Sequence, residues 1–467
     1  MSDTELARKS LTELSALLRA KALSSVELVE IFLKRIQKID PSLHSYITVC
    51  ADEALRSARQ ADEARTSGAP NGLLHGIPVA IKDQMHMQGV RTTAGSFLDS
   101  FPSEDSTVVA RLKSAGAIIL GKLNLSEFAF GGNIGHPFGT PRNPWDTNHQ
   151  PGHSSSGSGI AVAASLCTAA IGEDTGGSIR IPAAWCGITG LRPTWGRVSR
   201  YGIQPISWSM DQAGPMARSV EDCAQVFQAI SGHDLKDPST SHYPVLPFTP
   251  KPDLRGIRIG IIKESLDNDL VHSEVRAAVE KAANVMEEIG ATVSDISLPI
   301  LEKAGVVSAA ITDADGAFVH RHWLRNRSSE YDSVTRRRLL AGSLMPSQLL
   351  QKAQRFRVLI RRQIILAFQN VDILLSPTQP TAAAKLETTS GLDSKDAVLQ
   401  KFAGPRGATA PFNLSAVPAI SIPCGFTSAG LPIGLQLASR PFDELTLFQT
   451  GHSYQQHTSW HNRHPSL

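Results

Sequence analysis

Between His149 and Pro193, two clusters of glycine and serine flank an alanine-rich apolar run. The first cluster reads His149-Gln-Pro-Gly-His-Ser-Ser-Ser-Gly-Ser-Gly159, the second Gly172-Glu-Asp-Thr-Gly-Gly-Ser-Ile-Arg-Ile-Pro182. Glycine is placed where backbone takes positive φ or approaches another group closely. Serines beside it offer hydroxyls that donate, accept or attack. A solvated Gly/Ser linker would not be embedded in apolar sequence. The intervening run predicts a helix from Ser158 to Ala170. Thr175, Gly176, Gly177 and Ser178 stand just before a segment suited to start another helix. Consecutive N–H groups in such a turn can converge on one oxygen, as an oxyanion hole requires.

A second feature lies upstream. Ile77-Pro-Val-Ala-Ile81 is a short apolar run that reads as a buried strand, with Lys82 at its end. A lysine there is either paired, neutral, or reaching water along its own stem.

These three stretches, Gly76–Asp83, Pro151–Ala163 and Asp174–Pro182, resemble the amidase signature of the Ser-Ser-Lys amide hydrolases. The resemblance covers residues 5–235 strongly and 370–440 more loosely. It implies Ser178 as nucleophile, Ser154 as a bridging serine on a cis peptide, and Lys82 as base. The N–H groups of Thr175, Gly176, Gly177 and Ser178 would form the oxyanion hole, and no cofactor is needed. Phe128, Gly131, Gly132, Ser155, Arg406 and Phe412 are the implied substrate-binding positions. One departure stands out, because His153 and Ser156 occupy places where the family has glycine.

The resemblance leaves two enzymatic readings. The first is a stand-alone amidase acting on a small uncharged amide (aryl or aliphatic) or a carbamate. The second is the glutamine-hydrolysing A-type subunit of a tRNA-dependent amidotransferase, whose signature region is similar to residues 95–235. In those subunits an aspartate holds the ammonium group of glutamine. Alignment through Pro411-Phe-Asn-Leu414 puts Arg406 at that position. Like charges ~4 Å apart at an effective dielectric of ~20 cost ~4 kcal/mol, so the expectation is the stand-alone amidase. A scaffold that has lost its chemistry is disfavoured by the intact Lys82, Ser154 and Ser178.

Composition narrows the partners. A formal charge of +3 on 467 residues gives no concentrated basic face, so the expected partner is a small-molecule amide and not nucleic acid. Arg336–Arg338 and Arg361-Arg362 read as solvated helix faces. No stretch reaches the ~18 apolar residues of a membrane span, and the N-terminus lacks a signal peptide's pattern. Five cysteines without C-x-x-C spacing fit a reducing cytoplasm. A homodimer is left open. His452, His457, His461 and His464 have no metal-ligand spacing and read as a frayed tail, so no metal is expected. Gly116 to Lys122 imitates a phosphate-binding loop, but Leu123 stands where Ser or Thr is required.

The fold class expected is α/β: one large domain spanning 1–467, with a mixed, largely parallel twisted sheet covered by helices on both sides. Within it, 1–70 is a helical segment, 71–235 the catalytic core, and 300–410 a variable region shaping the substrate mouth. Ser10-x-x-Glu13 and Ser24-x-x-Glu27 are capping boxes, opening helices from Leu11 to Ala22 and from Val26 to Pro41. Another helix is expected from Ser273 to Ile289, capped by Ser273.

Overall fold

The computed structural model describes residues 1–68, 72–98, 100–132, 136–386 and 407–467. Both capping boxes form, with Ser10 and Ser24 each accepting from the backbone of the glutamate three residues on. They open the helices Leu11–Arg19 and Ser25–Leu43. The second runs past Pro41, which was expected to stop it. Proline gives up its own N–H bond there and crowds the carbonyl one turn back, but both costs fall within the last turn. The helix closes when His44 enters the left-handed region at φ 54° and donates to the Asp40 carbonyl.

Eleven strands form one sheet, named in chain order: β1 Tyr46–Val49, β2 Pro78–Lys82, β3 Ile118–Leu123, β4 Ala169–Glu173, β5 Thr189–Arg192, β6 Ala213–Ala217, β7 Arg258–Ile262, β8 Thr292–Ile296, β9 Ile373–Pro377, β10 Ala419–Phe426 and β11 Pro432–Ala438. Their order across the sheet is β1-β3-β2-β4-β6-β5-β10-β11-β9-β7-β8. The sheet is mixed, as expected, but its parallel pairs are confined to two flanks, β3-β2-β4 and β9-β7-β8. The centre, from β4 to β9, is antiparallel throughout. Chain connectivity explains the difference. The short link Thr427–Leu431 between β10 and β11 allows only a hairpin, whereas a parallel pair needs a long crossover.

Side-chain alternation along the strands builds a core on each face. Ile373, Leu375, Ile420, Ile422, Leu435 and Leu437 pack with the helices Val220–Ile230 and Ser273–Glu288. Leu374, Ala419 and Ala438 point the other way, against Ala304–Val319 and Ser347–Ala367. Helices therefore cover both sides of a single large α/β domain.

Local boundaries differ from expectation in three places. The helix of the alanine-rich run spans Ser156–Ala163, and Ala169-Ala170 belong to β4. Ser165, at φ 55°, turns the chain between them, and a run apolar on every side suits a buried strand as well as a helix. His272, not Ser273, caps Ser273–Glu288, its ring nitrogen accepting from the Glu274 N–H. The C-terminal histidines are not a frayed tail. His452 lies in the helix Glu444–Gln456, and burial pushes His461 and His464 down to about 4. Among the described residues no group of His, Cys, Asp and Glu is arranged to hold a metal, and no helix is long and apolar enough to cross a membrane. The loop-like Gly116–Lys122 is mostly β3, with Lys122 buried and paired to Asp83 at 2.6 Å.

Candidate active site

β2 and β4 are adjacent and parallel, and this register fixes the site. Lys82 ends β2, Glu173 ends β4, and the loop before Ser156–Ala163 crosses in front of them. Lys82 is fully buried, its Nζ 2.8 Å from Ser154 Oγ and 3.6 Å from Glu173 Oε2. Burial lowers the lysine from its ordinary value, against the opposing pull of Glu173 and Asp174. The His153–Ser154 peptide is cis.

The two residues that replace glycine are accommodated without positive φ. His153 turns its Nε2 toward Gln150 Oε1 at 3.2 Å, and Ser156 starts the helix. Glycine is retained where it is required. Gly152 has φ 101°, and a Cβ there would stand 2.6 Å from Pro182 Cα. Gly157 lies so close to Ser45 and Asn124 that a Cβ would fall within 2.5 Å of their backbone atoms.

The turn carrying Ser178 is built on Asp174, a residue to which the sequence motif assigns no role. Its carboxylate accepts from Gly177 N (2.7 Å), Ile179 N (3.3 Å), Arg180 Nε and Nη2 (both 3.0 Å) and Asn413 Nδ2 (2.7 Å). Burial alone would raise this carboxyl, but Arg180 and Arg192 hold it well below the usual range. Arg180 in turn donates to the Thr409 carbonyl, Gln436 Oε1 and Asn413 Oδ1. Gly177, at φ 124°, has no room for a Cβ beside Thr409, whose hydroxyl donates to the Gly176 carbonyl at 2.7 Å. Of the four N–H groups expected to face an oxyanion, that of Gly177 is engaged by Asp174. Ser178 itself is half-buried.

The expected substrate-binding positions are dispersed. Ser155 is fully buried and its hydroxyl bonds the backbone of Glu173 in both directions, joining helix to strand. Phe128 is 2% exposed, packed against His320, Trp323 and Tyr331, and Phe412 lies in the second core. Both are core side chains among the described residues. Gly131 and Gly132 abut Asp332 and Val334, and Arg406 lies outside the described residues. A cavity of about 290 Å³ instead lies beside Glu173 and Asp211, walled by Arg200, Tyr201, Trp208 and Lys236.

A family model described as Amidase matches residues 27–448. This chain belongs to the amidase family. The amidase is 40% identical to the A-type subunit of the glutamyl-tRNA(Gln) amidotransferase of Thermosynechococcus vestitus, over 97% of this chain and 99% of the relative. It is 43% identical to the corresponding protein of Chromohalobacter salexigens, over 98% of each. Among solved structures, the A-type subunit of the same enzyme from Thermotoga maritima superposes with a TM-score of 0.81 at 30% identity, covering 98% of this chain and 97% of that one.

These relatives overturn two expectations: a stand-alone amidase of uncharged amides, and a small molecule as the sole partner with no nucleic acid. The first rested on Arg406, one position aligned through one short segment, which weighs less than identity spread over nearly the whole chain. The second rested on a slight net charge. One member of an assembly needs no basic face of its own when another can supply the contacts to RNA phosphates.

Proposed function

We propose that this chain is the amide-hydrolysing member of an assembly of the glutamyl-tRNA(Gln) amidotransferase kind, releasing ammonia from the carboxamide of glutamine. The observation that carries the chemistry is the buried Lys82 Nζ at 2.8 Å from Ser154 Oγ. The assembly is supported by the ~40% identity to A-type subunits of that enzyme.

An amide needs an activated nucleophile, a stabilised oxyanion and a proton for the departing nitrogen. Lysine serves as a base only when neutral, and burial favours that form. Neutral Lys82 accepts the proton of the Ser154 hydroxyl, which accepts that of Ser178. Ser178 Oγ then attacks the carboxamide carbon. The N–H groups of Thr175, Gly176 and Ser178 receive the oxyanion, while Gly177 ties the turn to Asp174. Collapse expels ammonia, protonated by the relay run in reverse, and water hydrolyses the acyl-enzyme.

The test is glutamate release from glutamine, measured for the chain alone and with the remaining amidotransferase subunits of its own organism. The expected result is co-purification of those subunits and glutaminase activity at least ~10-fold higher in their presence, as for a gain of ~1.4 kcal/mol in coupling. A chain that binds none of them and leaves glutamine intact would sink the proposal.

A further inference from the structure

Thr175 Oγ1 lies 2.7 Å from Glu173 Oε1 and 2.7 Å from Asp211 Oδ1. A hydroxyl has one proton, so it can donate to only one of two carboxylates. Two ionised carboxylates would leave one of these short O···O contacts without hydrogen. One of the two acids must therefore carry a proton.

The surroundings decide which. Asp211 accepts from Ile206 N at 2.8 Å and from Ser207 N at 2.9 and 3.0 Å, donors that favour its anion. Glu173 has no such backbone donors on its carboxyl, and its Oε2, buried 3.6 Å from Lys82 Nζ, accepts no hydrogen bond among the described residues. We infer that Glu173 is a neutral carboxylic acid donating through Thr175 to ionised Asp211, and that it acts as a positioning residue which keeps Lys82 neutral. This rests on the proposed role of Lys82 as base.

The remaining charges around Glu173 agree. Lys82 faces it from β2, Asp174 follows it just past the end of β4, Asp211 approaches from the loop before β6, and Arg192 lies on β5. Burial raises the Asp211 carboxyl too, but there it is opposed by the N–H groups of Ile206 and Ser207, by the Thr175 hydroxyl and, least, by Arg200, whose own ion pair at 3.6 Å is with Asp237. Burial, reinforced by Asp211 and opposed by Lys82, pushes the Glu173 carboxyl up to about 7. An ionised Glu173 would stabilise the lysine's ammonium form and so remove the base. A protonated one lets the amine stay neutral while its hydroxyl proton remains tied to Thr175.

Two measurements on the full-length chain test this without a known substrate. The first is the infrared difference spectrum between wild type and Glu173→Gln at neutral pH. The expected result is a protonated-carboxyl stretch in wild type that vanishes in the variant, and its absence from wild type overturns the inference. The second is the pH dependence of Ser178 labelling by a sulfonyl fluoride, mapped by peptide mass. Glutamine mimics the neutral acid, so Glu173→Gln should leave the acidic limb of labelling at its wild-type pH. A limb displaced downward by about one pH unit would identify Glu173 as an ionised counter-charge and overturn the inference.

Asp211→Asn supplies the opposite case. Its amide would donate to Thr175, whose hydroxyl must then donate to Glu173 as a carboxylate. The acidic limb should rise by about one unit, and Glu173→Gln in the same chain should bring it back. A purely structural role predicts no such return. If Ser178 is not labelled at all, the proposed nucleophile fails, while the infrared band still decides the state of Glu173.

Discussion

Lys82→Met is expected to lower the rate of Ser178 acylation by on the order of 10⁴-fold while leaving the chain folded. Methionine fills much of the lysine's volume in a site closed to solvent, so packing survives. Only the base is removed. Ser154→Ala should cost a comparable factor, because the relay passes through its hydroxyl. Combining the two should add little, since members of one relay do not act independently. Stability supplies a separate check. Burial lowers Lys82 in the folded state, so the unfolded chain binds that proton more readily. Wild-type stability should therefore rise with pH up to the ordinary lysine value of ~10.4. Lys82→Met lacks this slope, and at neutral pH should be the more stable chain. Urea titrations at several pH values measure both quantities. A variant that retains wild-type acylation would show that Lys82 is not the base.

Asp174→Asn should be the most damaging single change to the fold around the site. Five donors converge on this carboxylate, two from the backbone of the nucleophile turn and two from Arg180. Asparagine keeps the shape but turns one acceptor into a donor and leaves Arg180 and Arg192 buried without their counter-charge. Breaking a buried pair from one side costs ~3–5 kcal/mol. The expected outcome is a urea midpoint lowered accordingly, together with loss of Ser178 labelling as Gly177 is released. A variant with an unchanged midpoint would show that the network contributes little.

Much of the site was legible because its signals are local. A lysine ending an apolar run, and serines and glycines bracketing a helix, are patterns of neighbouring residues, and the structure brings Lys82 and Ser154 together. The packing around the expected substrate-facing positions was not legible. Phe128 and Phe412 look like pocket residues in sequence, yet each satisfies a core of its own. Aromatic character alone does not distinguish a pocket wall from packing.

Spacings of a few residues set the capped starts of the helices at Leu11 and Ser25, the buried strand β2 and the two Gly/Ser turns, whereas the helix ends, expected at Ala22 and Pro41, fell at Arg19 and Leu43. By itself the sequence also determined the family, through motifs in a fixed order. The pairing of β4 with β2 and β6 came from the assembled sheet, and it sets Glu173 beside Lys82 and faces Thr175 with Asp211. Only the tertiary structure brought Asn413 and Gln436 onto Arg180 from far along the chain. The reason is physical. A cap or a strand is stabilised by groups within one turn of itself, so its signal is written nearby. A buried charge is stabilised by whichever partners the sheet order delivers, and that order follows from the packing of the whole chain.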